Sequence, residues 1–129
     1  MKSRDDIGKL ILRVLPSLTF FGGHGLGKLL GFAERAGKFA DPFGLGSEVS
    51  LALMVLAEAI CSIAVALGIF TRWATIPPII GMSVALLWAH SGLIFGEGEK
   101  AYLYLVVYLA ILVLGPGRLS LDHRMRRRA

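Results

Sequence analysis

The sequence predicts an all-α integral membrane protein: a four-helix bundle with a short interfacial helix between the first and second spans. Hydrophobic residues make up 55% of the 129 residues, and the mean hydropathy is +0.68. A soluble domain of this size could not hide that much apolar surface in one core. Charged residues are only 18% of the chain, and they crowd the two ends and the connections between apolar segments. That charge pattern is typical of membrane proteins and argues against nucleic acid as a partner.

Four apolar segments define the spans of one transmembrane domain. They predict helices over residues 7–30, 49–70, 73–95 and 97–115, since about 20 helical residues cross a hydrocarbon core. The first three segments are long enough. The fourth is apolar only from Ala101, so it spans if its helix begins near Glu97; a re-entrant hairpin is the alternative.

The connection between the first two spans is amphipathic. Its phenylalanines and alanines recur at helical spacing opposite its charged residues, which predicts an interfacial helix over residues 32–41. The helix should end before Pro42, because a residue preceding proline avoids helical geometry.

Lysines and arginines orient the bundle, because positive loops stay in the cytoplasm. Ten lie on the side of the termini and four on the other, which predicts a multi-pass protein of the plasma (inner) membrane with both termini cytoplasmic. The ten include the polybasic tail, residues 118–129, for which contact with anionic lipid is a sufficient role. The four are Lys28, Arg35, Lys38 and Lys100.

The first span carries ionisable residues and a glycine stripe. Arg13 and His24 are eleven positions apart and therefore share one helical face to within about 20°. We expect both to face the bundle interior, although an arginine at this depth can also snorkel toward the headgroups. Gly23, Gly27 and Gly31 repeat every four residues near that face, which predicts a helix-packing seam.

Glu58 lies near the middle of the second span, where an unpaired carboxylate is costly. It must be protonated, paired or hydrated. Arg13 and the hydroxyls of Ser83 and Tyr108 are candidate partners. The carboxylate is either a structural lock or part of a functional site, and the sequence favours neither.

His24 and His90 both fall near the outer boundary and could face each other. Two imidazoles could ligate a metal or haem, carry a proton or bond a quinone, but two histidines without further ligands are a weak signal. Hydrogen bonds to backbone are the commoner outcome. The single cysteine, Cys61, cannot form an internal disulfide or a CxxC pair and is expected to be a packing residue.

Several segments together resemble the DoxX-like family of membrane proteins. The closest signature is GPGRLSLD, with Gly115, Pro116, Gly117, Arg118, Ser120 and Asp122. Further matches are Arg13, the HGLGKL segment that begins at His24, Glu58, and LGIFTRWA over residues 67–74. The resemblance implies a four-helix membrane protein. The family is named from a subunit of thiosulfate:quinone oxidoreductase, and other relatives are associated with membrane redox complexes. Most members have no established activity, so no catalytic residue is carried over.

The leading hypothesis is an accessory subunit of a quinone-linked redox complex. It would bind a quinone-like molecule among Arg13, His24, Glu58 and His90. One alternative is a small carrier or assembly factor in which Glu58 takes up a proton or cation. The other is a purely structural bundle that docks partner helices, or a second copy of itself, on the glycine seam.

Overall fold

The computed structural model describes residues 4–39, 41–89, 95–96 and 98–128. Within those residues every regular element is helical and none is a strand. The prediction of an all-α fold is confirmed. His90, residues 91–94 and Glu97 lie outside the described residues.

Six helices follow one another along the described chain. Helix α1 covers residues 4–30, α2 is Phe32–Arg35, α3 is Ser47–Leu67, α4 covers residues 71–89, α5 is Glu99–Leu114 and α6 is Leu121–Arg128. Each of the first three long helices contains one π-helical turn, in which the hydrogen bonds skip an extra residue. The three turns are Phe21–Gly25 in α1, Leu56–Ile60 in α3 and Ala85–Ala89 in α4.

The four long helices pack side by side. Along the chain α1 contacts α3, α3 contacts α4 and α4 contacts α5, and α5 closes the ring against α1. Phe20, Val65, Met82 and Tyr108, one from each helix, are buried in the shared core. We call this assembly the helix bundle. The π turns of α1 and α3 touch each other, which brings the two irregular stretches to the same level.

Helix α3 ends in a Schellman motif. Gly68 adopts a left-handed conformation with φ of 76°, which glycine accepts without steric cost. Its N–H bonds to the carbonyl of Val65 at 3.1 Å, and the N–H of Ile69 bonds to that of Ala64 at 2.9 Å. This arrangement caps the last turn and turns the chain directly into α4.

The predicted extent of the interfacial helix is wrong. Helix α2 ends at Arg35, and the following residues form turns. The carboxylate of Asp41 accepts hydrogen bonds from the N–H groups of Leu45 and Gly46 at 2.9 and 2.8 Å and from the hydroxyl of Ser50 at 3.0 Å. Asp41 therefore organises the loop that leads into α3, and this local bonding competes with continued helix.

One described helix, α3, is both long and apolar enough to cross a membrane, with 21 residues and a mean hydropathy of 2.3. Helix α5 has 16 residues and is about 24 Å long, so a full crossing would need the residues before Glu99. Helices α1 and α4 match the first and third predicted segments in position. The four-span arrangement stays a prediction.

Candidate functional site

Glu58 lies in the π turn of α3 and forms an ion pair with Lys28 of α1. The Lys28 ammonium donates to both carboxylate oxygens, at 2.9 and 2.8 Å. The Glu58 side chain is 1% exposed and that of Lys28 is 18% exposed. Lys28 is not among the partners predicted from the sequence. Lys28 lies four residues after His24, on the same helical face and within the apolar HGLGKL run. That position could have indicated an inward-facing lysine.

Gly25 lets α1 approach this pair closely. A Cβ atom at Gly25 would clash with the carbonyl group of Glu58 and lie 2.7 Å from the nitrogen of Ala59. Within this chain the predicted seam of Gly23, Gly27 and Gly31 is wrong. A Cβ at Gly23 or Gly27 would meet no described atom within 4 Å, and one at Gly31 would meet only its own segment. The contacting glycine lies on the opposite face of the same helix, because two residues turn an α-helix by about 200°.

Arg13 is buried and does not bond Glu58. Its guanidinium donates to the carbonyl of Leu119 at 2.6 Å and to those of Val65 and Ala66 at 3.4 and 3.3 Å. The latter two carbonyls belong to the last turn of α3, where the negative end of the helix dipole favours a cation. The side chain is 1% exposed, so the snorkelling interpretation is wrong. Arg13 ties α1 to the end of α3 and to the segment after α5.

The GPGRLSLD segment is hydrogen-bonded to the start of α4 through Asp122, and we call this contact the latch. The carboxylate of Asp122 accepts from the N–H of Phe70 at 2.7 Å, and from the N–H and hydroxyl of Thr71 at 2.8 and 2.6 Å. The N–H of Asp122 bonds to the carbonyl of Gly68 at 2.7 Å. Burial alone would raise the pKa of Asp122, but the hydrogen bonds from Thr71 and Phe70 outweigh it and lower that pKa below its ordinary value.

Tyr108 and Ser83 do not join Glu58. The Tyr108 hydroxyl lies 3.1 Å from that of Ser62 and donates to that of Ser17 at 3.4 Å, so it links α5 with α3 and α1 inside the core. The Ser83 hydroxyl donates to the carbonyl of Ile79 in its own helix at 2.8 Å. Both are structural contacts in the described chain.

His24 lines a cavity between α1 and α5, which we call the α1/α5 cavity. Its volume is about 380 Å³. The imidazole packs against Phe20 and edge-on against Tyr104, with ring centroids 5.6 and 5.8 Å away. Pro16, Thr19, Gly23, Lys100, Leu103 and Val107 complete the lining with Tyr104. His90 lies outside the described residues, so its predicted approach to His24 stays a prediction.

The described residues contain no group of three or more histidine, cysteine or acidic side chains that could hold a metal ion. The polar groups instead fall into two sets. Arg13, Glu58, Tyr108 and Asp122 are engaged with protein partners and hold helices together. His24, Lys100 and Tyr104 line a cavity and can contact a bound molecule. A second cavity, about 410 Å³ in volume and lined largely by apolar side chains, lies between α3, α4 and the loop that precedes α3.

Comparison with known proteins decides the family. The model of the DoxX family matches residues 8–91. This chain belongs to the DoxX family. Proteins of this family are typically membrane-associated. The chain is also similar to an uncharacterized protein of Haemophilus influenzae, with 29% identity over an alignment 129 positions long that covers 94% of this chain and 85% of that protein. No solved structure matches it.

The DoxX match includes the residues of the buried pair. Arg13, His24, Gly25, Lys28 and Glu58 all fall within it. The GPGRLSLD latch lies beyond its end, although Arg13 and Thr71, which the latch contacts, lie inside it. The match therefore covers three of the long helices, and the latch joins the fourth to them.

Proposed function

We propose that this DoxX-family protein crosses the plasma (inner) membrane four times with both termini in the cytoplasm. There it serves as an accessory subunit of a quinone-linked redox complex. It holds a quinone-like molecule in the α1/α5 cavity. The observation that carries the proposal is the position of His24 in that cavity, beside Lys100 and Tyr104 and against apolar walls.

The outer surface of the bundle supports membrane placement. Large apolar side chains point away from the core on several helices; for example, Trp73 is 80% and Val113 is 77% exposed. Together such side chains form large apolar patches, which soluble monomers rarely expose. Bilayer lipid covers this surface without cost.

Fusing a reporter that is active only outside the cytoplasm to each terminus tests the orientation, and activity at either terminus would contradict it.

The chemistry of the α1/α5 cavity suits a quinone ring. A quinone presents a flat apolar ring and two carbonyl acceptors, so its site needs apolar walls and a few hydrogen-bond donors. Pro16, Leu103 and Val107 supply apolar contacts. His24, Lys100 and Tyr104 carry N–H or O–H groups. The volume, about 380 Å³, lies within the range of small-molecule pockets.

Two residues of the predicted quinone site do not line the α1/α5 cavity. Arg13 and Glu58 were expected to line that site with the histidines, but both are bonded to protein partners and neither lines the α1/α5 cavity. We therefore regard them as positioning residues. The Lys28–Glu58 pair sets the approach of α1 to α3, and so the placement of His24.

Titration of a short-chain ubiquinone analogue against the detergent-purified protein tests the proposal. His24→Ala removes one hydrogen-bonding group and should weaken binding about five- to tenfold. Tyr104→Phe should weaken binding while leaving the ring contact in place. His123→Ala is the matched control, because His123 lies at the opposite end of the bundle. Unchanged affinity in both His24→Ala and Tyr104→Phe would remove the quinone proposal.

A partner-binding role is the second candidate function. Gly23 and Gly27 leave a strip of α1 uncovered in this chain, and small residues allow a second membrane helix to approach closely. The partner would be another subunit or a second copy of this chain. Cross-linking in native membranes from cysteines placed beside Gly27 tests this, since a specific adduct is expected and its absence counts against the role.

The carrier hypothesis requires a further step. Both carboxylate oxygens of Glu58 accept hydrogen bonds from Lys28, so uptake of a proton or cation there would have to break the pair. Solute movement by reconstituted protein that is lost in Glu58→Gln would favour a carrier.

A further inference from the structure

A cluster of basic side chains surrounds a cavity at the end of the bundle that carries the termini. Its volume is about 250 Å³. We call it the basic pocket. It lies between the first turns of α1, the start of α4, the end of α5 and helix α6. Its charged and titratable lining is Asp6, Lys9, Arg72, Arg118, His123 and Arg126.

The charge balance of the basic pocket favours an anion. Four of the lining side chains are lysine or arginine and one is a carboxylate. That carboxylate, Asp6, accepts from the N–H of Arg118 at 3.3 Å and is 5% exposed. Asp122 accepts hydrogen bonds from the start of α4 with both oxygens, and its negative charge also acts on Arg126. With both carboxylates counted, the four basic side chains still leave an excess of two positive charges around the cavity.

The protein holds part of this lining in place. Arg72 donates to the carbonyls of Leu112 and Val113 at 3.1 and 3.4 Å, through Nε and Nη2. These bonds orient the guanidinium and leave Nη1 without a bond to the described part of the chain. Guanidinium groups fixed in this way match the oxygens of a phosphate.

Two glycines shape the wall of the basic pocket. Gly115 and Gly117 have φ of 82° and 80°, which other residues rarely adopt. A Cβ at Gly115 would lie 3.0 Å from Nη2 of Arg72, and one at Gly117 would lie 3.1 Å from Cβ of Lys9. The GPG turn thus makes room for the two basic side chains that flank the cavity.

We propose that the basic pocket binds a phosphate group, and that an anionic phospholipid headgroup supplies it. The inference rests on the cytoplasmic placement of this end, where the leaflet carries anionic lipid. Basic pockets between helices on that side suit such headgroups. A phosphate bound here would contact α1, α4 and α6 together and would reinforce the latch. Free inorganic phosphate has the same chemistry, and the lipid titration separates the two sources.

Lipid binding to the full chain in detergent tests the proposal. Phosphatidylglycerol and phosphatidylcholine are titrated separately, and bound lipid is counted by native mass spectrometry. Arg118→Gln and Arg126→Gln each remove one lining charge from an exposed side chain, so the fold should persist. Arg124→Gln is the matched control, because it removes the same charge from α6 outside the pocket lining.

We expect the wild-type protein to prefer phosphatidylglycerol. Arg118→Gln and Arg126→Gln should each weaken that binding about fivefold, and Arg124→Gln should leave it unchanged. Equal weakening by all three variants would overturn the proposal, because net charge alone would then explain it. Inorganic phosphate that binds with the same variant pattern, without a preference among lipids, identifies free phosphate as the source. Quinone affinity in these variants should be unchanged, so failure here is separate from failure of the proposed function.

Discussion

Replacing Asp122 with asparagine should loosen the latch between α6 and α4. The carboxylate accepts three hydrogen bonds of 2.6 to 2.8 Å from Phe70 and Thr71, and Thr71 is 1% exposed. Asparagine keeps one acceptor oxygen, loses the charge and turns an NH₂ group toward at least one donor. A lost helix cap costs about 0.5–2 kcal/mol, and hydrogen bonds to charged groups contribute about 1.5–3 kcal/mol. We expect Asp122→Asn to lower the free energy of unfolding by about 2 kcal/mol.

Thermal unfolding in detergent micelles measures this loss. In a Trp88→Phe background Trp73 is the one tryptophan left in the sequence, and its fluorescence, two residues after Thr71, reports on the start of α4. A loss of about 2 kcal/mol should lower Tm by roughly 6–10 °C in a chain of this size. Asp5→Asn makes the same chemical change on an exposed residue of α1 and should shift Tm little. Equal Tm shifts in the two variants would refute the latch.

Three other predictions follow from the same contacts. Arg13→Leu should lower the free energy of unfolding by about 2–4 kcal/mol, because it leaves the last carbonyls of α3 without their donor; equilibrium unfolding measures this. Gly25→Ala should destabilise the protein by about 1–3 kcal/mol through its clash with Glu58, whereas Gly27→Ala should be neutral or stabilising. Comparing the Tm of these two variants with that of the wild-type protein tests this prediction. Hydrogen bonds hold the pKa of Asp122 below its ordinary 3.8. The stability that Asp122 confers is therefore fully present above pH 3.8 and is lost as the pH falls through the lowered pKa. Measurements of Tm at decreasing pH should show a steeper fall of Tm in the wild-type protein than in Asp122→Asn.

The long helices were predictable because an apolar run of about 20 residues is typical of a helix that spans a membrane. The depth of Glu58 was also visible, since it lies well inside such a run. Its partner was not. Which side chains meet between two helices depends on rotation about the helix axes. The sequence offered Arg13, Ser83 and Tyr108 as partners of Glu58, and the structure has Lys28.

The role of Arg13 was hidden for a related reason. Its partners are backbone carbonyls, which every residue carries, so no residue type signals them. The glycines show the same limit. Spacing singled out Gly23, Gly27 and Gly31, but Gly25 lies against Glu58 because the close approach occurs on a different face of α1.

The shorter α2 illustrates competition between local structures. The periodic phenylalanines favoured a helix to Asp41, yet the Asp41 carboxylate bonds the backbone of Leu45 and Gly46 instead. The GPGRLSLD signature was recognised as a motif, but its function as a latch became visible only when α4 and α6 were placed together.

Lys28 neutralises the charge of Glu58 inside the bundle and thereby fixes α1 against α3. A double-mutant cycle of Glu58→Gln, Lys28→Met and the two combined, followed by equilibrium unfolding in detergent, tests it directly. Each single change should cost about 3 kcal/mol, because it leaves a buried charge without its partner, and the double variant should recover about 2 kcal/mol of the summed loss. Strictly additive losses would contradict the claim.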